Sequence, residues 1–578
     1  MEETKFHKIH CTYCGKTVSA DQLAVNLDLI ICDYLKNRVS RMGEASLKEL
    51  LELFQLIKTG IYLSKFDMIN KEGILSEHDE LKITSGYVLK FLERKHRVTL
   101  FDSENKVNND GLKTLYNRIQ FYRRTDVNSG FVRIKRLVEL LNKNREEILA
   151  DYTCQFRIGK DDRGNEFISQ VITSSLDGPG HVYQHMVCPK CGNKFYITAG
   201  TYEEKVIVLL GSSRVGKTAY LAALVSKING YLDQKLGREK RFITVTSIRD
   251  ERYAAFNEKI LKDYSVGRKP EKTDVEERLE NPIPLISLQV KTREKTTVYT
   301  IVDMPGEVFV SQNNGSGEEA DADFIINRRK ICYSADAFWF CIDPTQIDRR
   351  LRKENEQSPA EDKVQCNIDM VLNNIENMVR IMGENEDKTK IPSAIIFTKS
   401  DLLQGIAEGM YQADDAKVCL TENGCLDADA VKEASRNIIN YLEKTPGIVE
   451  DISDQIGNIF ENKNYFSIAA YGVKVDQEER PIAPYGIALP FLWTMASFGD
   501  LSIERKRVEV KQSFLKKLCG KPGDVIVSYV NCGMTDLYQS VNEKGRLYLC
   551  SWYMEMMVRI IQRLRNQRKL QRNRFDVC

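Results

Sequence analysis

The chain has 578 residues and a formal net charge of +2. Its length allows three or four domains of ordinary size, and its near-zero charge excludes a global field that would attract nucleic acid or a membrane surface. The fifteen cysteines are odd in number and spread along the chain, which argues for a reducing compartment and against a disulfide scaffold. The first eight residues are charged and no uninterrupted apolar run could span a bilayer, so we expect a cytoplasmic protein.

Two CxxCG motifs lie far apart in the first 200 residues. Four thiolates are the ligand set of a closed tetrahedral structural zinc site, so the pattern predicts one Zn²⁺ held by Cys11, Cys14, Cys188 and Cys191. About 170 residues separate the motifs, whereas a compact ribbon has a gap of tens of residues. We therefore interpret residues 1–19 and 180–200 as a zinc ribbon that is split by an insertion. Two unrelated thiol pairs or CxxC redox chemistry are the alternatives, and the shared trailing glycine favours a shared metal.

The insertion is predicted to be mainly helical over residues 20–150. Apolar residues recur there at three- and four-residue spacing in five stretches: 20–39, 45–63, 78–95, 110–122 and 131–150. Residues 151–179 alternate around the turn sequence Asp161–Gly164, which indicates a β-hairpin. The basic segments of the insertion favour solvated helix faces over a nucleic-acid surface. We find no catalytic constellation there and interpret it as a recognition or coupling region.

Residues 205–220 read KVIVLLGSSRVGKTAY, which is an apolar strand, a glycine-rich loop and the start of a helix. That context is the one a phosphate-binding P-loop requires, while the alternative is a tight strand-to-helix turn. The backbone N–H groups are expected to surround the β-phosphate, Lys217 to reach the β and γ oxygens, and the Thr218 hydroxyl to bind Mg²⁺. The predicted nucleotide-binding residues of this loop are Gly211, Ser212, Ser213, Arg214, Val215, Gly216, Lys217 and Thr218.

Two later segments are predicted to complete the magnesium and γ-phosphate site. Thr273 lies in a loop between a helical stretch and a strand, where a P-loop switch places its second Mg²⁺ ligand. Residues 300–307 read TIVDMPGE, so a buried strand is expected to deliver Asp303 beside the Mg²⁺ and the Gly306 N–H to meet the γ-phosphate. The polar, acidic stretch 311–323 is interpreted as a mobile switch segment.

The base is predicted from a strand that ends in TKSD. The Asp401 carboxylate can accept hydrogen bonds from the N1 and N2 protons of guanine, which adenine does not offer, and Lys399 next to Thr398 is expected to pack over the purine and the P-loop. After a further strand, a backbone N–H of Ala469 or Ala470 is expected to meet the guanine O6. These motifs at strand ends predict an α/β, doubly wound P-loop domain over residues 201–500, with the ligand at the carboxyl ends of the strands.

Residues 501–578 are basic and predicted to be helical, with helices over 503–518 and 547–574. An anionic membrane surface, RNA or other nucleic acid, or an acidic protein are the partners that such a tail suggests.

The phrases GSSRVGKT, DMPGE and TKSD, together with the Thr273 loop, resemble the motif set of TRAFAC-class P-loop GTPases. More narrowly, RKPEKT, DMPGEVF, ADAFWFCIDP and PYGIALPFLW resemble the bacterial double-GTPase-like group. The resemblance covers about residues 201–500 and implies a regulatory GTPase that acts with partner proteins in bacterial conflict or antiphage systems.

Two residues depart from the usual pattern of this class. Glu307 stands where many of these GTPases have glutamine or histidine to orient the attacking water, so it is either a general base or a charge that suppresses hydrolysis. Arg214, within the P-loop, either stabilises charge near the bridging oxygens, as a cis-acting finger or in place of a monovalent cation, or is an outward-pointing surface arginine. The candidate catalytic residues are Lys217, Thr273, Glu307 and Arg214.

The sequence therefore predicts a Mg²⁺-dependent switch that binds and hydrolyses GTP, with structural Zn²⁺ and a protein partner. The first alternative is a GTP-sensing scaffold with little intrinsic hydrolysis, which grips its partner through the zinc-linked helical region. A nucleic-acid-binding protein that uses the ribbon and the arginine-rich tail is the third hypothesis.

Overall fold

The computed structural model describes most of the first 504 residues. The described ranges are 5–42, 45–64, 81–119, 127–146, 152–175, 181–212, 214–235, 243–268, 285–292, 294–304, 330–348, 351, 371–373, 375–376, 390–404, 406–407, 420–421, 424–444, 452–472 and 482–504. The predicted helices of the basic tail lie outside them, except that residues 503–504, predicted to begin a helix, form a short strand instead.

The first 200 residues form small sheets and helices around one hydrophobic core. The strands are β1 (Lys8–His10), β2 (Thr17–Ser19), β3 (Ala24–Asn26), β4 (Tyr62–Ser64), β5 (Leu81–Lys82), β6 (Tyr152–Lys160), β7 (Glu166–Ser175) and β8 (Val182–Tyr183). The helices are α1 (Leu27–Met42), α2 (Ala45–Ile57), α3 (Ser85–His96), α4 (Asn109–Arg118) and α5 (Val127–Lys143). Ribbon residues such as Ile9 and Val18 share their core with helix residues such as Leu50 and Leu137, so the predicted ribbon and insertion are one packed unit.

The prediction that residues 20–150 are mainly helical is confirmed, but the helices begin and end at other residues than predicted. Residues 20–26, predicted to be helical, form a short 3-10 turn and strand β3, which pairs antiparallel with β4. The predicted hairpin is present: β6 and β7 pair antiparallel across the turn at Asp161–Gly164. At Gly164 φ is 81°, a conformation that glycine adopts without a steric penalty, which explains why the turn falls there.

A seven-stranded sheet organises the rest of the described chain. Its strands, in chain order, are β9 (Glu203–Leu210), β10 (Thr244–Ser247), β11 (Leu285–Lys291), β12 (Thr296–Asp303), β13 (Ala337–Ile342), β14 (Ser393–Phe397) and β16 (Lys463–Ser467). The short strand β15 (Leu426–Asp427) precedes β16 in the chain and is not part of this sheet. The strand order is β10-β11-β12-β9-β13-β14-β16, and the five strands from β12 to β16 are parallel. Strands β13 and β14 are buried at every residue, as expected for parallel strands covered on both faces.

Helices cover both faces of this sheet, which makes the domain doubly wound, as predicted. They are α6 (Lys217–Lys235), α7 (Glu251–Phe256), α8 (Lys262–Ser265), α9 (Pro344–Ile347), α10 (Ala428–Lys444), α11 (Ile452–Ile459) and α12 (Leu489–Ser497). Residues of α6 and α12 pack in the core on one face, and Ile438 of α10 and Ile456 of α11 pack in the core on the other. Trp339 of β13 fixes α12 by donating its ring N–H to the Thr494 hydroxyl at 2.9 Å.

The ribbon docks at the amino end of β9, which is the end away from the glycine-rich loop. The buried Glu204 carboxylate accepts the His10 backbone N–H at 2.8 Å and the Thr300 hydroxyl at 2.6 Å. One side chain therefore joins the ribbon to two strands of the sheet. Because removing one partner would leave a buried carboxylate unsatisfied, this contact is expected to hold the two parts together.

Candidate functional site

The glycine-rich loop leaves β9 in a backbone conformation that only glycine fits at its first position. At Gly211 φ is 138°, and an added Cβ would lie 2.5 Å from the Cys341 carbonyl oxygen. Gly216 has φ of 95°, directly before α6 begins at Lys217. The loop is therefore pressed onto the end of β13, and its amide groups precede the amino end of a long helix, where an anion is stabilised.

Lys217 lies buried inside this loop. Its Nζ donates to the carbonyl oxygens of Gly211 at 2.9 Å and Ser212 at 2.8 Å. These contacts hold the ammonium group against the loop backbone, and the same group can turn toward phosphate oxygens when they are present.

The two predicted magnesium ligands meet at the carboxyl end of β12. The Thr218 hydroxyl donates to the Asp303 carboxylate at 2.7 Å, and Asp303 is the last residue of β12 and is buried. Strand β12 pairs in parallel with β9 with Asp303 opposite Leu209, which brings the aspartate to the start of the loop. Two hard oxygen donors side by side fit Mg²⁺, which keeps several waters and takes one or two protein oxygens.

The TKSD segment follows β14 and touches the glycine-rich loop directly. The Thr398 hydroxyl donates to the Val215 carbonyl at 2.5 Å, and Lys399 donates to the Arg214 carbonyl at 3.1 Å. Lys399 has φ of 50° and Arg214 has φ of 64°, so both residues adopt the left-handed region that non-glycine residues seldom use. Such strain is retained where surrounding contacts fix the backbone, and here the two strained residues contact each other.

Asp401 lies in the 3-10 turn Ser400–Leu403 that follows Lys399. Burial raises the pKa of the Asp401 carboxyl, while the nearby Lys399 ammonium acts in the opposite direction. A carboxylate in this partly desolvated position gains more from donors that reach it than an exposed one would, because water competes less.

The segment after β16 closes the site on the side of the base. The Ser400 N–H donates to the Ile468 carbonyl at 2.9 Å, which fixes the TKSD turn to this segment. The Ala469 N–H donates to the Tyr485 carbonyl at 3.0 Å, so of the two predicted donors to guanine O6 this one is already engaged. Ala470 is thereby left as the candidate donor.

Sequence reasoning missed two residues that line this site. The buried Asp343 accepts a hydrogen bond from the Lys399 Nζ at 2.5 Å, and the Gln346 amide donates to the Ser212 hydroxyl at 2.6 Å. Asp343 also caps α9 by accepting the Thr345 N–H at 2.9 Å. The Asp-Pro pair at the strand end was a signal for the cap, whereas nothing in the sequence marked Gln346.

Several predicted residues lie outside the part of the chain that the structure describes. They are Ser213, Thr273, Gly306, Glu307 and the segment 311–323. Their predicted roles stay predictions.

The four predicted zinc ligands form one cluster. Cys11 and Cys191 have their sulfur atoms 3.5 Å apart, those of Cys14 and Cys188 are 3.8 Å apart, and all four lie within 4.8 Å of one another. A tetrahedral zinc ion with Zn–S bonds of about 2.3 Å needs sulfurs about 3.8 Å apart, so the spacing fits zinc. Among the described residues, this is the group of cysteine, histidine and acidic side chains close enough to share a metal ion.

The two cysteine turns have the same backbone construction. The N–H of Gly15 donates to the Cys11 carbonyl at 2.8 Å, and the N–H of Gly192 donates to the Cys188 carbonyl at 2.9 Å. Both glycines have positive φ, of 66° and 71°. The trailing glycine noted in the sequence is therefore required by the turn that aims each pair of thiols at a common point.

The cluster favours thiolates at two of its positions. Hydrogen bonds from the Cys11 thiol hold the pKa of Cys14 well below its usual range and lower the pKa of Cys188 to about 7. The nearby His185 is engaged elsewhere, with its Nδ1 3.0 Å from the Phe195 carbonyl oxygen. The donor set is thus the sulfur-only set of a structural zinc site.

No helix among the described residues is both long and apolar enough to cross a membrane.

A comparison with known protein families finds a match in the central domain. Residues 205–437 match the family model DO-GTPase2, Double-GTPase 2, which confirms the predicted resemblance to the double-GTPase group for this part of the chain. No curated protein matches the chain.

Two solved structures are also similar at low identity. The GTPase-like domain of S. cerevisiae Ski7, bound to GTP, is 10% identical; the match covers 54% of this chain and 52% of that chain, with a TM-score of 0.22. This chain thus spans about half the length of the Ski7 structure. The septin GTPase domain from Chlamydomonas reinhardtii is 12% identical, over 52% of this chain and 94% of that chain, with a TM-score of 0.19.

Proposed function

We propose that the Double-GTPase 2 region of this chain is a Mg²⁺-dependent switch that binds GTP and hydrolyses it to GDP and phosphate. The observation that carries the proposal is the hydrogen bond of 3.1 Å between Lys399 and the Arg214 carbonyl. It joins the segment that would read the base to the loop that would hold the phosphates. Two loops separated by more than 180 residues of sequence therefore bound one pocket at the carboxyl ends of the strands.

The phosphates would be held by the glycine-rich loop. Lys217 would exchange its contacts with the Gly211 and Ser212 carbonyls for the β and γ oxygens, and the loop amides would surround the β-phosphate. Thr218 and Asp303 would hold the metal, directly or through water, since their oxygens already lie side by side. Mg²⁺, when bound, neutralises the charge that develops on the phosphate oxygens.

The base would be read by three groups. The Asp401 carboxylate would accept the N1 and N2 protons of guanine, the Ala470 N–H would donate to O6, and the aliphatic part of Lys399 would pack on the ring. The contact between Lys399 and Asp343 supports this arrangement because it fixes the lysine beside the pocket.

Hydrolysis would proceed by in-line attack of a water oxygen on the γ-phosphorus, with cleavage of the bond to the bridging oxygen. The water proton would pass to Glu307 or to a phosphate oxygen. Lys217 would stabilise the charge on the phosphates, Arg214 would do so at the bridging oxygen, and Thr273 would close on GTP. Release of phosphate would free the loops that contain Thr273 and residues 311–323, which is how such switches signal.

The four cysteines would hold one structural Zn²⁺ through four thiolates. The ion, when bound, would crosslink two turns that are separated by most of the helical region. The cluster packs in the core of that region, so the metal would stabilise the surface that we propose as the site for a protein partner.

The biological setting is proposed from the family resemblance. We place the chain in the cytoplasm as a regulatory GTPase of a bacterial conflict or antiphage system, with a protein partner that reads the nucleotide state. The scaffold that binds GTP with little hydrolysis is the rival; single-turnover hydrolysis with and without candidate partners separates the two. The nucleic-acid hypothesis predicts binding of RNA or DNA with steep salt dependence, and absence of binding at low salt eliminates it.

The decisive experiment exchanges the base-reading carboxylate. Asp401→Asn is expected to shift binding from GDP toward XDP, because the amide donates to the xanthine O2 where the carboxylate accepted from guanine. Equilibrium titration with labelled GDP and XDP measures the change. The control is Asp429→Asn, which changes an exposed residue of α10. Unchanged preference for GDP in Asp401→Asn would refute the proposed pocket.

A further inference from the structure

Two tyrosines grip the loop that the proposed function uses to read guanine. Tyr264 in α8 is fully buried, and its hydroxyl donates to the Ala470 carbonyl at 2.8 Å. A second hydrogen bond runs in the opposite direction, because the Tyr471 hydroxyl donates to the Arg268 carbonyl at 3.0 Å. The centroids of the Tyr264 and Tyr471 rings lie 5.3 Å apart, and the ring planes are inclined at 50°. Two reciprocal hydrogen bonds and one ring contact therefore join residues 264–268 to residues 470–471.

The same loop is fixed from its other side by residues 482–486. The Ala483 N–H donates to the Tyr471 carbonyl at 2.7 Å, next to the pairing between Ala469 and Tyr485. At Gly472 φ is 70°, and an added Cβ would lie 1.8 Å from the Ala483 carbonyl oxygen, so the two segments are in close backbone contact. This pairing also holds the peptide group that carries the Ala470 N–H, because the carbonyl of that group, which belongs to Ala469, accepts the Tyr485 N–H at 2.9 Å. The tyrosine contact holds the next peptide group through the Ala470 carbonyl.

Lys227 extends this connection to the helix that follows the glycine-rich loop. Its Nζ donates to the Pro484 carbonyl at 2.8 Å. Residues 482–486 are thus tied to α6 as well as to the loop after β16. The helix that follows the glycine-rich loop is thereby joined to the segment beside Ala470 by a hydrogen bond from a side chain to the backbone.

We propose that Tyr264 is a positioning residue for guanine recognition. By holding the Ala470 carbonyl it fixes the peptide group that follows Ala470, so that both peptide groups around this residue are held and the Ala470 N–H faces the base oxygen O6. This inference rests on the proposed function, because it takes the Ala470 N–H as the donor to O6. Ala470 is the donor that remains available, since the neighbouring Ala469 N–H donates to Tyr485. Burial raises the pKa of Tyr264, so its hydroxyl stays a donor across the physiological range.

The test removes one hydroxyl and compares three nucleotides. Tyr264→Phe keeps the ring contact with Tyr471 and loses the bond to Ala470. GDP and IDP both carry O6, whereas the diphosphate of 2-aminopurine riboside lacks it. We expect the affinity for GDP and for IDP to fall about three- to tenfold, the value of one hydrogen bond, and the affinity for the 2-aminopurine nucleotide to stay unchanged. Competition against a labelled GDP measures all three.

Tyr299→Phe is the matched control. Tyr299 is a buried tyrosine of strand β12, and its hydroxyl donates to Asp500 instead of to the loop after β16. We expect this variant to bind all three nucleotides as the unaltered chain does, and thermal denaturation of both variants confirms that each is folded. The inference is supported if Tyr264→Phe loses affinity for GDP and IDP but not for the 2-aminopurine nucleotide, while Tyr299→Phe keeps all three affinities.

The remaining outcomes overturn it. An equal loss of affinity for all three nucleotides in Tyr264→Phe means that the tyrosine supports the pocket as a whole and does not position the O6 donor. Unchanged affinities mean that the Ala470 carbonyl does not need the hydroxyl. If the unaltered chain does not prefer GDP to ADP, the proposed function itself fails, and the inference fails with it.

Discussion

The glycine-rich loop and the cysteine cluster are both sites built from backbone turns, but they are assembled in opposite ways. The proposed phosphate cradle comes from eight residues that are consecutive in sequence, from Gly211 to Thr218. The cluster joins cysteines that are 174 and 180 residues apart. A contiguous site can form as soon as its strand and helix pack, whereas a divided site requires that everything between its halves be folded. The metal site should therefore govern stability, and the nucleotide site should govern activity.

The largest effect that tests this comparison is expected from the cysteine cluster. Cys188→Ser removes one of four thiolates, and structural zinc contributes about 10 kcal/mol or more to the folding of small domains. We expect bound zinc to fall from one ion per chain to none, with loss of the core around α1–α5. Metal analysis and hydrogen exchange measure both changes.

A matched cysteine outside the cluster provides the control. Cys425 is half-buried and lies near β15, away from the cluster, so Cys425→Ser is expected to retain the zinc and the N-terminal core. Zinc at one ion per chain in Cys188→Ser would show that the four thiols do not act together, and the comparison would lose its basis.

The second-largest effect is expected on GTP binding, with little change in the stability of the fold. Lys217→Ala should weaken GTP binding at least about 100-fold, because it removes two charge-assisted hydrogen bonds to phosphate worth about 1.5 to 3 kcal/mol each. The melting temperature without nucleotide should change little, since the same lysine then contacts only loop carbonyls. Nucleotide titration and thermal denaturation measure the two quantities.

Lys432→Ala is the control for the charge. Lys432 is exposed on α10, and its loss should leave GTP binding unchanged. A Lys217→Ala chain that turns over GTP at the unaltered rate would contradict the proposed mechanism.

The smallest effect sharpens the nucleotide side of the comparison. Asp343→Asn keeps the shape of the side chain and weakens its contact with the Lys399 ammonium, which we expect to accelerate GDP release about three- to tenfold. Release of a fluorescent GDP in stopped flow measures the rate. Asp348→Asn, which alters a buried aspartate bonded to Tyr441, is the control and should leave release unchanged. A rate that Asp343→Asn leaves unaltered would show that the lysine holds its place without this contact.

Much of the central domain could be predicted because its signals are local. Val206–Leu210 is apolar and β-branched, Gly211 and Gly216 bracket the loop, and Lys217 opens a helix, so strand, turn and helix each follow from neighbouring residues. The predicted doubly wound α/β fold is confirmed by the sheet, and the family match confirms the predicted resemblance to the double-GTPase group for residues 205–437. The proximity of Thr218 and Asp303 followed from the rule that parallel strands deliver their carboxyl ends to one edge.

The contacts between elements could not be predicted in the same way. Residues 20–26 have helical periodicity, yet Ala24–Asn26 form β3, because β4 offers them a strand partner that only the folded chain supplies. Asp343 and Gln346 reach the site through the docking of α9 on the glycine-rich loop, and Ala469 loses its free N–H to Tyr485. None of these partners is close in sequence.

The sequence by itself determined the side chains on which the proposed chemistry depends: a glycine-rich loop suited to phosphate, a carboxylate suited to guanine and four thiols suited to zinc. Each of these depends on residue type and short spacing, which fix backbone dihedral angles and side-chain ligands locally. The tertiary structure alone decided that the ribbon and the helices share one core and that Glu204 fastens them to the sheet. It also decided that Tyr264 holds Ala470. Those arrangements arise when elements dock, because packing and the satisfaction of buried polar groups are settled only in the assembled fold.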